Sequence, residues 1–245
     1  MNPKWKLCGE GKQQSPIDIS DKVVHFPQLG QLERDYKPAR AVLKNSGHII
    51  EMKWKGNAGQ LNLNGTNYKL IQCHWHTPSE HTLNGTKFDL ELHVVHQNSV
   101  GERAAIGIWY KIGDSDPLLS ELLEKLKSLG DEDIDVGEIN PGIIKFGSRY
   151  YRYDGSLTTP PCTEGVVWTI MKKVRTVSTE QLSALKGAIR HIHESLGLLK
   201  KANYGIWGKP WGSLAMTMKY SVEKLEEVEN SKSIGGDVLL SVEQI

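Results

Sequence analysis

Between residues 40 and 112 the sequence never runs far without a turn signal. Asn45-Ser46-Gly47, Gly56-Asn57, Asn64-Gly65 and Asn84-Gly85 cut it into short segments. Those segments are Ala41 to Leu43, His48 to Trp54, Gln60 to Leu63, Tyr68 to His76, Phe88 to His96 and Ala104 to Lys111. Each carries β-branched, aromatic or alternating side chains, and Asn-Gly between such runs is the strongest short-range hairpin signal. A chain patterned this way pairs antiparallel strands into a sheet. With 245 residues and 38% hydrophobic content it can close one substantial core.

Two helices are readable outside this region. Asp116 caps the first, Pro117 suits its first turn, and Leu118, Leu119, Leu122, Leu123 and Leu126 recur at helical spacing before Gly130. The second begins at Ser178, where Ser178 and Gln181 form a capping box with Val177 as staple. The expected fold is therefore mainly β (α+β), a central, largely antiparallel twisted sheet with a few surface helices. The domain spans 1–189. From Arg190 to Ile245 the character changes: there is no clear strand series, Tyr204 to Trp211 is rich in aromatics and glycine, and a charged run covers Glu223 to Lys232.

The charges exclude some partners. Lys plus Arg total 30 against 29 for Asp plus Glu, scattered rather than blocked, so neither nucleic acid nor an anionic membrane surface is expected. No apolar run approaches the ~20 residues that span a bilayer, and the first residues lack the apolar core of a signal peptide. The three cysteines, Cys8, Cys73 and Cys162, permit one disulfide and one leftover thiol in pairings the count leaves open. Asn64-Gly65-Thr66 and Asn84-Gly85-Thr86 are glycan acceptor patterns that matter only in a secretory protein.

The chemistry concentrates in the strands. In Gln72-Cys73-His74-Trp75-His76 the period of two puts both imidazoles on one face. On the strand containing Glu91-Leu92-His93, Glu91 and His93 again share a face, so this strand can offer a third imidazole to a tris-histidine zinc site with an open fourth position. Gln72 and Glu91, each two residues behind a histidine, are placed to fix ring orientation. His81 and His96 lie nearby but break the phase. A lone His-x-His is more often an ordinary pair, and the second one, His191 with His193, falls in a helical stretch where residues two apart diverge and is read as a solvated face.

The ordered combination is far more specific. Gln14-Ser15-Pro16-Ile17-Asp18, Asn45-Ser46-Gly47-His48, Gln72 to His76, Ser79-Glu80-His81-Thr82, Glu91-Leu92-His93 and Gly155 to Gly165 (GSLTTPPCTEG) follow the order and spacing of the α-carbonic anhydrases. The chain resembles that family over roughly residues 5 to 189, and looks closest to its plant-type members, which include the yam storage proteins called dioscorins.

The resemblance implies a zinc lyase that interconverts carbon dioxide with bicarbonate and a proton through zinc-bound hydroxide. It puts the Zn2+ ligands on His74, His76 and His93, the hydroxide-orienting pair on Thr158 and Glu80, and bicarbonate positioning on Thr159. Carbon dioxide is small and apolar, and the matching pocket positions are Val95, Ala105, Leu157, Val166 and Trp168, with Ala105 smaller than the usual valine. His48 matches the shuttle histidine, a role suited to the side chain that titrates near neutrality. Cys8 and Cys162 match the disulfide of secreted members, leaving Cys73 buried opposite the histidines. That pairing implies an extracellular, luminal or chloroplast setting.

Two family motifs are not found. One is the aromatic start with Trp-Gly-Tyr and Gly-Pro-x-x-Trp; the other is the strand motif Asn-x-Arg-Pro-x-Gln near the end. The first difference implies impaired proton transfer, and the second an exposed neighbouring strand. The alternative reading is accordingly a noncatalytic relative, a storage or binding protein that keeps the fold.

Overall fold

The computed structural model describes residues 5–20, 23–26, 29–189 and 240–242. The chain begins with α1 (Lys6–Glu10), β1 (Asp18–Ile19), β2 (Val24–His25), β3 (Glu33–Tyr36), β4 (Ala39–Asn45), β5 (Ile50–Trp54) and β6 (Gly59–Leu63). There follow β7 (Thr66–His76), β8 (Thr82–Leu83), β9 (Leu90–Gln97), β10 (Arg103–Ile112), α2 (Pro117–Ser128) and β11 (Ile134–Ile139). The last elements are β12 (Tyr150–Ser156), β13 (Glu164–Met171), β14 (Arg175–Val177), a helix α3 over residues 179–189, and β15 (Leu240–Val242).

Most strands join one mixed sheet ordered β11-β4-β5-β7-β9-β10-β13-β12-β15-β2. Its pairs are largely antiparallel, with a parallel β10–β13 pair near the centre. β5 starts at Ile50 rather than His48, because Ser46 N–H bonds the Ile49 carbonyl and Asn45 Oδ1 takes the Gly47 N–H, with Gly47 at φ 81°. That closes a turn before the ladder begins.

The two-residue period separates core from chemistry. Cys73 and Trp75 on β7, Leu92 and Val94 on β9, and Ile106 and Ile108 on β10 share one face, packed with Leu118, Leu119, Leu122 and Leu126 of α2 and Leu182 and Leu185 of α3. Each such fully buried leucine stabilises by about 1.5–3 kcal/mol relative to exposure. A register shift between Leu70 and Gln72 lets Leu70 and Cys73, three apart, reach this same core. Cys73 is free and buried there, opposite the histidine face as expected.

Both helix starts match the sequence expectation. Asp116 accepts from the Leu119 N–H at 3.0 Å, and Ser178 and Gln181 exchange both capping-box bonds at 3.2 Å. Gln181, 1% exposed, also bonds the Asp116 backbone N–H and carbonyl at 2.8 and 2.9 Å, so one amide locks both helices together. Among the described residues no helix is long and apolar enough to cross a membrane.

The expectation of an exposed neighbour strand is not met along Tyr150 to Arg152. Residues 240–242 form a strand antiparallel to them, and this strand pairs in turn with β2. β15 is not legible in the sequence, because three residues are too short for a period to register. His191, His193 and Tyr204 to Trp211 lie outside the described residues.

Candidate metal centre

The histidines come together because of register. His74 on β7 sits directly opposite His93 on β9, and His76 opposite Glu91. The ring centroids are 4.9 Å apart for His74 and His76, 5.1 Å for His74 and His93, and 4.7 Å for His76 and His93. One ligand atom from each lies within 4.8 Å of the others.

The outward bonds fix which nitrogens face inward. Gln72 Oε1 and Glu91 Oε1 are acceptors, so His74 donates its Nδ1–H to the first at 2.9 Å and His93 its Nε2–H to the second at 2.9 Å. The remaining lone pairs, on His74 Nε2 and His93 Nδ1, then meet at 3.3 Å. Two lone pairs in that position repel, and a cation between them would relieve the repulsion. His76 Nε2 is buried with no hydrogen-bond partner and lies 3.4 Å from Glu80 Oε2, which is also buried and unbonded. Burial, then His93, pushes the His74 pKa down to about 3, and burial with the neighbouring rings holds His76 well below its usual value. Both stay neutral, the state in which imidazole binds metal.

Glu91 anchors the arrangement. Its Oε1 accepts from His93 Nε2–H and from His81 Nδ1–H at 2.7 Å, and its Oε2 takes the Glu80 and His81 backbone N–H groups at 2.9 Å each. Burial pushes its carboxyl up, but His81 and His93 outweigh this and hold it well below the ordinary range. Burial likewise pushes His93 down, while the Glu91 charge and hydrogen bond reverse the sign and leave it raised. His81 Nε2 takes the Tyr153 hydroxyl at 2.6 Å, and Tyr153 bonds Ser15 Oγ at 2.8 Å. Sequence reasoning gives His81, Tyr153 and Ser15 no role, because their connections span 72 and 138 positions. The quoted Ser79-Glu80-His81-Thr82 and Gln14-Ser15-Pro16 motifs are the available signal.

Gln72, Val95, Ala105, Trp168 and Tyr153 form one cross-strand row beside the row of His74 and His93. Ala105, Val166 and Trp168 pack into a second apolar cluster on this face with Leu157 against it, and the Trp168 ring lies 4.8 Å from that of His93. Thr158 hydrogen-bonds Glu80 from the loop after β12, with burial as the main influence raising the Glu80 carboxyl. That loop is tied down by the Cys8–Cys162 disulfide and by Gln14 Nε2 donating to the Cys162 carbonyl and Glu164 Oε1 at 3.2 and 2.9 Å. Thr159 is exposed in the same loop. His48 is exposed in the β4–β5 turn, at the sheet end where β7 reaches His76, since Ile50 pairs with Trp75.

The profile of the eukaryotic-type carbonic anhydrases matches residues 2–201. Alpha carbonic anhydrase 4 of Arabidopsis thaliana is 50% identical over 190 residues, 77% of this chain and 71% of the relative. Dioscorin crystallised with ascorbate superposes with a TM-score of 0.75 at 43% identity, covering 77% of this chain and 81% of that one. The α-carbonic anhydrase of Thermovibrio ammonificans in complex with sulfanilamide gives 0.72 at 34% identity, covering 77% and 84%. By profile, by sequence and by the shape of its sheet, this chain belongs to the α-carbonic anhydrase family.

Proposed function

We propose that the chain is a zinc-dependent lyase that hydrates carbon dioxide reversibly to bicarbonate and a proton. The observation that carries the reading is the convergence of three imidazoles whose outer N–H groups are engaged or whose inner nitrogen has no partner. Such a donor set fits Zn2+, with His74 Nε2, His76 Nε2 and His93 Nδ1 as its ligands. Bound there, zinc supplies Lewis acidity that brings the pKa of water from 15.7 to about 7.

The remaining steps belong to the chain. Thr158 gives its hydroxyl proton to Glu80, so its oxygen can only accept. It therefore orients the attacking oxygen through that oxygen's own proton and turns a lone pair toward the substrate carbon. Val95, Ala105, Leu157, Val166 and Trp168 offer carbon dioxide an apolar wall without hydrogen-bond demands, and Thr159 holds the charged product. His48, exposed near the His76 end of β7, carries the released proton to solvent. The Cys8–Cys162 bridge supports an oxidising setting, secretory, extracellular or chloroplast.

The likeness to dioscorin, seen bound to ascorbate, favours a second reading, a noncatalytic binding protein on the same fold. Stopped-flow carbon dioxide hydration by the zinc-loaded chain, beside His93→Ala and Thr158→Ala, separates the two. Hydration abolished in His93→Ala and reduced on the order of 10²-fold in Thr158→Ala supports the lyase. A folded, zinc-loaded chain with no rate above buffer sinks it.

A further inference from the structure

Two identical tripeptides, Asn64-Gly65-Thr66 and Asn84-Gly85-Thr86, sit at the tips of hairpin turns. In both, asparagine and glycine take positive φ, 52° and 84° at the first and 49° and 74° at the second, as a tight turn of this type requires. All six residues are exposed. A Cβ built on either glycine meets nothing within 4 Å, so the space beyond each tip is open.

Asn-Gly pairs are prone to slow deamidation, in which the following backbone nitrogen attacks the side-chain carbonyl. Here that nitrogen is occupied: the Gly65 N–H bonds Asn62 Oδ1 at 3.1 Å and the Gly85 N–H bonds Asp18 Oδ1 at 2.8 Å. Each bond holds the glycine nitrogen on another acceptor, away from attack on the neighbouring carboxamide, at a turn tip that is exposed. The Cys8–Cys162 disulfide separately points to a compartment in which such substituents are attached.

We propose that Asn64 and Asn84 are both N-glycosylation sites, accepting an oligosaccharide from a lipid-pyrophosphate donor. The asparagine Nδ2 attacks C1 of the sugar, an N–C1 bond forms, and the C1–O bond to the pyrophosphate breaks. The lipid pyrophosphate leaves with the electron pair, and the amide proton passes to a base of the transferase. The hydroxyls of Thr66 and Thr86 are the recognition elements at the third position. A glycan on Asn64 stands away from the metal centre: Thr66 opens β7 and His74 lies eight residues on, about 26 Å away along the strand. The proposal stands whether or not the chain hydrates carbon dioxide.

The test is secretion of the full chain from a eukaryotic host behind a cleavable leader, with intact mass measured before and after peptide N-glycosidase treatment. Two glycans are expected, each removed by its own variant, Asn64→Gln or Asn84→Gln, and equally by Thr66→Val or Thr86→Val, which leave the asparagine in place. Treatment should convert both glycosylated asparagines to aspartate. Secreted, disulfide-bonded protein of unmodified mass overturns the proposal, and a single glycan overturns it for the site left bare.

Discussion

His81 and His93 hydrogen-bond the same carboxylate oxygen of Glu91, at 2.7 and 2.9 Å, so a loop histidine and a strand histidine are aligned by one atom. Removing the charge while keeping the shape weakens both bonds. Glu91→Gln should lower zinc affinity about 10- to 100-fold, read by chelator competition, with the fold retained. Undiminished affinity would mean that Glu91 does not hold the ligand in place.

Gly107 pairs with His93 across the β9–β10 ladder, and a Cβ there would stand 2.6 Å from Ile170 Cδ1 and 3.0 Å from Glu91 Oε1. Gly107→Ala should therefore destabilise by about 1–3 kcal/mol through overpacking and also loosen the metal. Denaturant unfolding checks the first effect and chelator competition the second. A wild-type midpoint would show that Ile170 yields without cost.

The pH dependence of stability has a source away from the metal. His96 is fully buried, its Nδ1–H on the Ala104 carbonyl at 3.3 Å and its Nε2 on the Tyr36 hydroxyl at 2.8 Å, and burial pushes its pKa down to about 4. A histidine depressed in the fold is neutral there, whereas the unfolded chain takes up a proton below about pH 6.5. Its contribution is present above that value and lost as the pH falls toward 4, roughly 3 kcal/mol for this one group. Urea midpoints at pH 7 and 4.5 should draw together in His96→Gln; an unchanged difference would assign the acid sensitivity elsewhere.

Cys8 and Cys162 are 154 residues apart, so their bridge removes much unfolded-chain entropy. Cys8→Ser with Cys162→Ser should cost about 2–5 kcal/mol in denaturant titration. Loss of the bridge also frees the loop carrying Thr158. Hydration activity should then fall below what the stability loss alone explains at a temperature where the variant stays folded.

Six strands between residues 40 and 112 are legible in the sequence because turn signals and alternation mark them, and the two helices because Asp116, Ser178 and Gln181 announce their starts locally. The facing of His74 and His76 follows from the period of two. His93 joins them only through register, which the resemblance supplies and periodicity does not. The His81, Tyr153 and Ser15 relay is invisible to pattern, since each link joins different elements and His81 lies off every strand phase. The shift between Leu70 and Gln72 escapes for a related reason: a bulge is an interruption of the very alternation used to read strands.

The long span of the disulfide sets a schedule for the chain's maturation. At about 5–20 residues per second of synthesis, roughly 8 to 30 seconds separate the appearance of Cys8 from that of its partner. Cys73 emerges during that interval and is the wrong thiol offered first. The core face of β7 answers the hazard in the finished fold: with Trp75, Leu92 and the leucines of α2 and α3 packed in the same core, Cys73 is buried out of reach of both partners.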